Sequence, residues 1–440
     1  MLSGFGAEGS GTTGRYLVLL QEEAVEAGIE SLGDVAGVQV ARAAEFGEAA
    51  VEVDQLSASE GIVFDELGVA VVDVPPDQTR ALGVAAQEED SILTVEPERV
   101  VHALEGASPA SGAGPSSMSS TEYLKGYKDA VNNLVDNILT TNGSAGVAAE
   151  QLAAAFEEVS VTWGLQATGA ASSKFSGQGI RVAVLDTGFD EQHPDFADRS
   201  VKSLSFIAGE EVQDGNGHGT HCIGTSCGSL EPDELPRYGV AHGADIFAGK
   251  VLNNRGRGAD GGILDGIRWA IRKDCHIVSM SLGAPTTIGQ RFSRVFETVA
   301  RRALARGTLI IAAAGNESRR PGLISPVGHP ANCPSIMAVG ALDERLAVAS
   351  FSCGGTDPQG GQVDIAGPGV NVHSSWPVPT VYRTISGTSM ATPHVAGIAA
   401  LYAEANPESR ARGLWSLLVQ RARRLPLPSR DVGIGLVQAP

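Results

Sequence analysis

Aromatic side chains make up only 5% of this 440-residue chain, and it contains no run of about 18 consecutive apolar residues. The missing run excludes a membrane-spanning helix. Few aromatics, set against 55 glycines, shift core building onto small aliphatic side chains and tight turns. Cysteine is scarce. Cys222, Cys227, Cys275, Cys333 and Cys353 show neither zinc-site spacing nor a disulfide framework, and an odd count leaves at least one unpaired. Free buried thiols are expected. Bases are in deficit, 32 against 51 acids, for a net charge of −19. The deficit is local: residues 1–104 hold 20 of the acids but only 4 of the bases. Such a segment does not suit nucleic acid. It suits either solubility or docking on a complementary surface of the same chain. Met1 to Gly9 lack the basic start and apolar stretch of a secretion signal. The compartment stays open: retention, export by another route and a missing leader all fit.

The length and a 42% hydrophobic content predict two or three domains. In residues 15–104, strand-like runs (Arg15 to Leu20, Gly61 to Phe64, Val69 to Val74, Ile92 to Glu96) alternate with helix-like ones (Glu22 to Leu32, Pro76 to Ala86). The β-α-β-β-α-β order predicts a small ferredoxin-like α+β module over 1–104. Residues 105–121, rich in Gly, Ser, Ala and Pro, read as a flexible linker. Tyr123, Leu124, Tyr127, Val131, Leu134, Val135 and Ile138 recur every three or four residues, which predicts an amphipathic helix. With a second helix over 145–158 it forms a helical insertion spanning 122–160. From Gly179 on, near-continuous apolar runs (Arg181 to Leu185, Ile246 to Leu252, His276 to Met280, Thr308 to Ala313) alternate with helical stretches (Gly261 to Arg272, Arg291 to Arg306). Buried parallel strands require such runs. They predict an α/β three-layer sandwich with a mainly parallel sheet over 161–440, its reactive groups at strand ends and helix starts.

Three segments carry chemistry. Asp186 ends an apolar strand within Val184-Leu185-Asp186-Thr187-Gly188. His218 opens a helix running to about Cys227, within Gly217-His218-Gly219-Thr220-His221. Ser389 stands at the start of a helix over 390–405, within Gly387-Thr388-Ser389-Met390-Ala391-Thr392-Pro393. Proline there is tolerated only in the first turn. A serine hydroxyl is a weak nucleophile until a base takes its proton. At a helix start it gains from the dipole as negative charge develops. Taken singly, Asp-Thr-Gly reads as a turn and Ser-x-x-Thr as a helix cap. Together, and in this order, they follow the subtilisin-type succession of aspartate, histidine and serine. Asn316, closing Ala312-Ala313-Ala314-Gly315-Asn316, lies between the second and third.

The chain thus resembles the subtilisin-like serine peptidases over about 160–440 and, more weakly, over 15–104. His218-Gly219-Thr220-His221-Cys222 leans toward the proteinase K branch. The resemblance implies a serine endopeptidase in which Ser389 attacks the scissile carbonyl. His218 acts as general base and then acid, Asp186 orients it, and Asn316 with the Ser389 N–H binds the oxyanion. It leaves His221, His193, His329 and His394 structural. It implies that the first module is a propeptide, its tail (Val95 to Leu104) laid across the active site and cut at Leu104–Glu105. Polypeptide substrate would lie as a strand between Gly256-Arg257-Gly258 and Ser281-Leu282-Gly283. Ala313 and Gly315 would wall a roomy apolar first pocket. Arg255 and Arg257 either favour acidic residues upstream of the cut or form a solvated pair. No cofactor is implied for the chemistry. The carbonyls of Pro334 and Ile336 with the carboxylate of Asp364 resemble a calcium site, against the alternative of a capping aspartate. The family's Asn-rich calcium loop is not found in 227–239. Cys222 is either reactive toward thiol reagents or inert. The expected partners are polypeptides and the chain's own first module, not nucleic acid or membrane. Two other functions fit the motifs. One is a peptide ligase on the same fold, with the insertion excluding water. The other is a binding protein with a vestigial triad.

Overall fold

The computed structural model describes residues 11–46, 61–75, 78–88, 90–104, 156, 158–357 and 361–440. The expected linker, nearly all of the helical insertion, and Glu105 lie outside them.

The first module comprises β1 (Thr12–Leu20), α1 (Val25–Ala36), β2 (Val40–Arg42), β3 (Gly61–Phe64), β4 (Val69–Val72), α2 (Thr79–Glu88) and β5 (Ile92–Ala103). Strands β5, β1, β4 and β3 lie side by side in that order, all antiparallel, which is the ferredoxin-like arrangement. The short edge strand β2, parallel to β3, is an addition that the sequence did not suggest. Strand β5 runs seven residues beyond the expected Ile92–Glu96.

The module's sheet buries both faces. Along β1, Val18 and Leu20 point to the core that includes Leu32 of α1 and Leu82 of α2. Leu17 and Leu19 point the other way. The alternation repeats in β3 (Val63 against Ile62 and Phe64) and in β4 (Ala70 and Val72 against Val69 and Val71), as the two-residue period of a strand dictates. The second face packs on two helices of the large domain, α5 (Asp260–Arg272) and α6 (Arg294–Ala305). The Arg268 guanidinium lies 5.6 Å over the Phe64 ring. Burying those six side chains stabilises the contact by on the order of 10 kcal/mol before entropy. The Arg302–Glu22 and Arg272–Glu66 pairs contribute at most about 1 kcal/mol each. Apolar burial therefore dominates the docking of this acidic module.

The large domain begins with α3 (Trp163–Ala167) and is built on β6 (Arg181–Asp186), β7 (Val201–Ser205), β8 (Asp245–Lys250), β10 (Ile277–Met280), β12 (Leu309–Ala313), β13 (Met337–Leu342) and β14 (Ile365–Pro368). They form one parallel sheet in the order β14-β13-β12-β10-β6-β8-β7. Buried on both faces, it needs the apolar runs seen in the sequence. Helices α5 and α6 cover one face. Helices α4 (His218–Cys227), α7 (Thr388–Ala405) and α8 (Arg412–Arg421) cover the other. The hairpin of β15 (Val372–Ser375) and β16 (Tyr382–Ile385) packs on α4, and the short α9 (Ser429–Val432) lies by β13. This is the expected three-layer α/β sandwich. Two short strands, β9 (Arg257–Ala259) and β11 (Leu282–Gly283), stand apart from the parallel sheet and pair with β5 instead. Among the described residues no helix is long and apolar enough to cross a membrane.

Candidate active site

Asp186 is the last residue of β6, and His218 is the first of α4. His218 Nδ1 lies 2.7 Å from Asp186 Oδ1, with both side chains buried. The turn before α4 requires Gly217: its φ is +106°, and a Cβ there would overlap the Trp376 ring. The buried carboxylate of Asp214 organises this turn. Oδ1 accepts from the N–H groups of Asn216 (3.0 Å) and Gly217 (2.8 Å), and Oδ2 from the Thr220 N–H (2.9 Å). It thus satisfies first-turn donors of α4 and complements the dipole. Asp214 Oδ1 also accepts from Thr187 Oγ1 (2.9 Å), which in turn accepts from the Gly219 N–H (2.8 Å). The strand end bearing Asp186 is thereby fastened to the helix start bearing His218.

Lys250, fully buried at the end of β8, adds a second tie. Its ammonium donates to the Thr187 carbonyl and to Asn254 Oδ1 (2.8 Å), and lies 3.3 Å from Glu210 Oε2. Asn254 Oδ1 also accepts the Gly215 N–H (3.0 Å). Sequence reasoning missed Asp214, Thr187 and Lys250. Thr187 lies within the first motif and Asp214 just before the second, but Lys250, at the end of β8, stands near none of them.

Burial works against a charged His218, but the adjoining Asp186 carboxylate outweighs it and holds the imidazole well above its ordinary 6.5. Burial, with the His218 charge adding to it, pushes His221 down to about 3. Its Nε2 sits between the carbonyls of Val372 (3.1 Å) and Arg383 (3.2 Å). Burial raises the Cys222 thiol to about 11, so it stays protonated at neutral pH and suits the inert reading. All five cysteines are free and buried. Asp186, His218 and Cys222 bring ligand-type atoms within 4.8 Å of one another, but Asp186 Oδ1 and His218 Nδ1 are already paired with each other.

Helix α7 starts at Thr388, so Ser389 lies inside its first turn and Pro393 falls in the second, later than expected. Pro393 has no N–H to donate to the carbonyl four residues back. That carbonyl belongs to Ser389. It accepts instead from Ser281 Oγ (2.8 Å) and Cys222 Sγ (3.6 Å). The proline's cost is offset there, and the segment bearing Ser389 is pinned to the residue just before β11 and to α4. Asn316 Oδ1 accepts from the N–H (3.0 Å) and hydroxyl (2.9 Å) of Thr388. These two donors fix the amide orientation, so Nδ2 points at the Leu104 carbonyl oxygen, 2.6 Å away. Ser389 Oγ lies 2.6 Å from the same oxygen and 3.0 Å from the Ser281 carbonyl. His218 Nε2 is buried and has no hydrogen-bond partner among the described residues.

The end of β5 fills the groove between β9 and β11. Val101 faces Gly258 and His102 faces Arg257 on one side; Ala103 faces Leu282 and His102 faces Gly283 on the other. The Ala103 N–H donates to the Gly256 carbonyl (2.9 Å) and the Leu104 N–H to the Ser281 carbonyl (3.3 Å). Gly283 is required here: a Cβ would overlap the His329 carbonyl and stand 3.4 Å from Leu104 Cδ1. Ala313 ends β12, buried, and the Gly315 N–H donates to Thr388 Oγ1 (3.3 Å). Upstream, Glu98 Oε1 accepts the Gly261 N–H at the start of α5 (2.9 Å), and Glu96 Oε1 accepts the Arg294 N–H at the start of α6 (2.6 Å). Two acids of the module thus cap two helices of the large domain. Asp364 immediately precedes β14. Its Oδ2 accepts the Ala338 N–H (2.8 Å), two residues after Ile336, and burial drives its carboxyl up to about 7 against that one bond.

The model of the subtilase family matches residues 177–435. Subtilisin BL of Lederbergia lenta is 42% identical over 252 residues, 56% of this chain and 86% of its own length. M-protease of Shouchella clausii is 41% identical over 252 residues, 56% of this chain and 61% of its own. Subtilisin E of Bacillus subtilis is 41% identical over 238 residues, 54% and 58%. The lean toward the proteinase K branch gains no support from these relatives.

The geometry fixes how His218 titrates. Its imidazole is expected to lose its proton above pH 6.5, while His221 stays neutral down to about pH 3. Because the folded value is raised, the Asp186 pair stabilises the fold fully below about pH 6.5. That contribution fades as pH rises through the folded value. In Asp186→Asn the largest raising influence is lost and burial is opposed by Cys222 alone, so the His218 titration falls. NMR titration of the imidazole signals reads both; an unchanged His218 in Asp186→Asn contradicts the account.

Proposed function

The chain belongs to the subtilase family and is a serine endopeptidase acting on polypeptides; on that premise we propose that it is made as a zymogen that cuts itself after Leu104, using Asp186, His218, Ser389 and Asn316. The observation carrying this reading is the Leu104 carbonyl, held by Asn316 Nδ2 and Ser389 Oγ at 2.6 Å each. It belongs to the residue that directly follows a strand clamped between two edges. Ser389 Oγ attacks its carbon while His218 Nε2 takes the hydroxyl proton. Negative charge collects on the carbonyl oxygen, where the Asn316 amide and the Ser389 N–H at the positive end of α7 stabilise it. The bond to Glu105 nitrogen breaks as His218 returns the proton to the leaving amine. Water, activated by the same imidazole, then releases Leu104 from the acyl-enzyme. Asp186 holds the imidazole with Nδ1 protonated throughout. No cofactor is needed.

With the tail in place, the Ser389 hydroxyl is directed at the Leu104 and Ser281 carbonyls, and His218 Nε2 has no partner. In this state the first module is an inhibitor in its own substrate groove. It also caps α5 and α6 and covers their apolar faces, which supports a role in folding.

Asp364 suits a hard cation. Its carboxylate is half-buried and raised to about 7. The carbonyls of Pro334 and Ile336, just before β13, would complete the oxygen set. Calcium there would stabilise the fold without entering the chemistry.

Asn316→Ala is expected to lower kcat about 10²–10³-fold with KM nearly unchanged, and Ser389→Ala to remove nearly all hydrolysis; the magnitude is that known for a subtilisin's own donor rather than one drawn from this geometry. Steady-state kinetics on a quenched peptide tests both, and turnover by Ser389→Ala close to the wild-type rate would end the reading, since only the small rate left by the oxyanion donors and binding should remain. Asp364 gives a separate thermal test. Its folded value lies above the ordinary 3.8, so its contribution to stability is complete below about pH 4 and lost as pH rises through about 7. At pH 8 without divalent cations, Asp364→Asn should melt above wild type. Millimolar calcium should raise the wild-type Tm and leave the variant's unchanged; an equal rise in both removes Asp364 from the site.

A further inference from the structure

The tail of the first module is matched to its surroundings at every charged position but one. Glu98 holds the Arg15 guanidinium (2.7 Å) and the Gly261 N–H (2.9 Å). Arg99 lies 3.6 Å from Glu96 and 3.5 Å from Asp260. Val101 and Leu104 are buried. The exception is His102, third residue from the Leu104 end. Its cross-strand neighbour is Arg257 of β9, and both are exposed. Directly opposed residues of an antiparallel pair bring their Cβ atoms to about 4.5–5.5 Å.

Arg257 has no acidic partner for its guanidinium among the described residues; its backbone N–H goes to Asn253 Oδ1 (3.1 Å). Its field reaches the third position, because partial burial first and the Arg257 charge second push the His102 imidazole below its ordinary value. The tail therefore offers Arg257 a neutral ring where an acid would pair. Position four offers no such choice, since Val101 is enclosed in the apolar core shared with Leu252 and Ile263.

We propose that Arg257 is a specificity-determining residue that selects polypeptides with aspartate or glutamate three residues before the scissile bond. The inference rests on the reading that β5 follows the substrate path. An exposed cross-strand ion pair is modest and screened by salt. The preference for glutamate over lysine is expected to be about three- to tenfold in kcat/KM at low ionic strength and smaller in 0.5 M salt.

Two measurements test it. The first uses the full-length chain after it has become active, with three quenched peptides ending in Ala-Leu before the cut and carrying Glu, Gln or Lys ahead of them. Wild type should prefer Glu, then Gln, then Lys. The order should flatten in Arg257→Ala and reverse in Arg257→Glu. Equal rates in wild type, or a glutamate preference that survives Arg257→Ala, overturn the proposal. The second needs no turnover. In the full-length Ser389→Ala chain, His102→Glu should raise amide-exchange protection at Ala103 relative to His102→Lys, and Arg257→Glu should invert that order. Identical protection overturns it. If the protection order holds while no peptide is cut, the endopeptidase reading fails and the Arg257 assignment stands. If peptides are cut at equal rates, the reverse is true.

Discussion

Strand β5 is shared, and the rest of the arrangement depends on that sharing. Its first half completes the module's own sheet against β1, and its second half is clamped between β9 and β11. A strand cannot shift register by one residue without turning its buried side chains to solvent. The module's core therefore sets which residue reaches the reactive groups. With Leu17, Leu19 and Val101 committed to one apolar cluster, Leu104 arrives at Asn316 and Ser389. Positioning by packing of this kind supplies the geometric precision that a long flexible tail would lose to entropy.

The chemistry then rests on a few fixed charges placed at element ends. Asp186 sits where a parallel strand stops, and His218 and Ser389 sit where helices begin. Asp214, Thr187 and Lys250 lash these ends together through buried hydrogen bonds. Such bonds are strong because the site is dry and costly to leave unmade. Pro393 contributes by omission. The hydrogen bond it cannot make frees the Ser389 carbonyl for Ser281 and Cys222, which holds the helix start against the groove wall.

Much of this was legible in the sequence, for physical reasons. Apolar runs marked the parallel strands because both faces are covered, and glycines marked places of close approach, as at Gly217 against the Trp376 ring and Gly283 against the His329 carbonyl. The segment order Asp186, His218, Ser389 pointed to the reaction class. The reach of β5 was not legible, because Glu96 to Ala103 mixes charged and apolar residues with no clean alternation; the alternation is broken by acids that cap helices in another domain. The edge strand β2 is three residues long and carries no pattern of its own. Asp214 and Lys250 carry no signal of their roles in the sequence; those roles exist only once β6, β8 and α4 are brought together. Glu105 lies outside the described residues, so only the carbonyl side of the proposed cut is placed among the reactive groups.

The most direct measurement is intact mass with N-terminal sequencing of the purified full-length chain beside its Ser389→Ala variant. The account predicts that wild type separates into two pieces with a new N-terminus at Glu105, while Ser389→Ala stays whole. The same cut in both would assign it to another protease. A wild type that stays whole while hydrolysing added peptides would show that the clamped Leu104 carbonyl is not a scissile one.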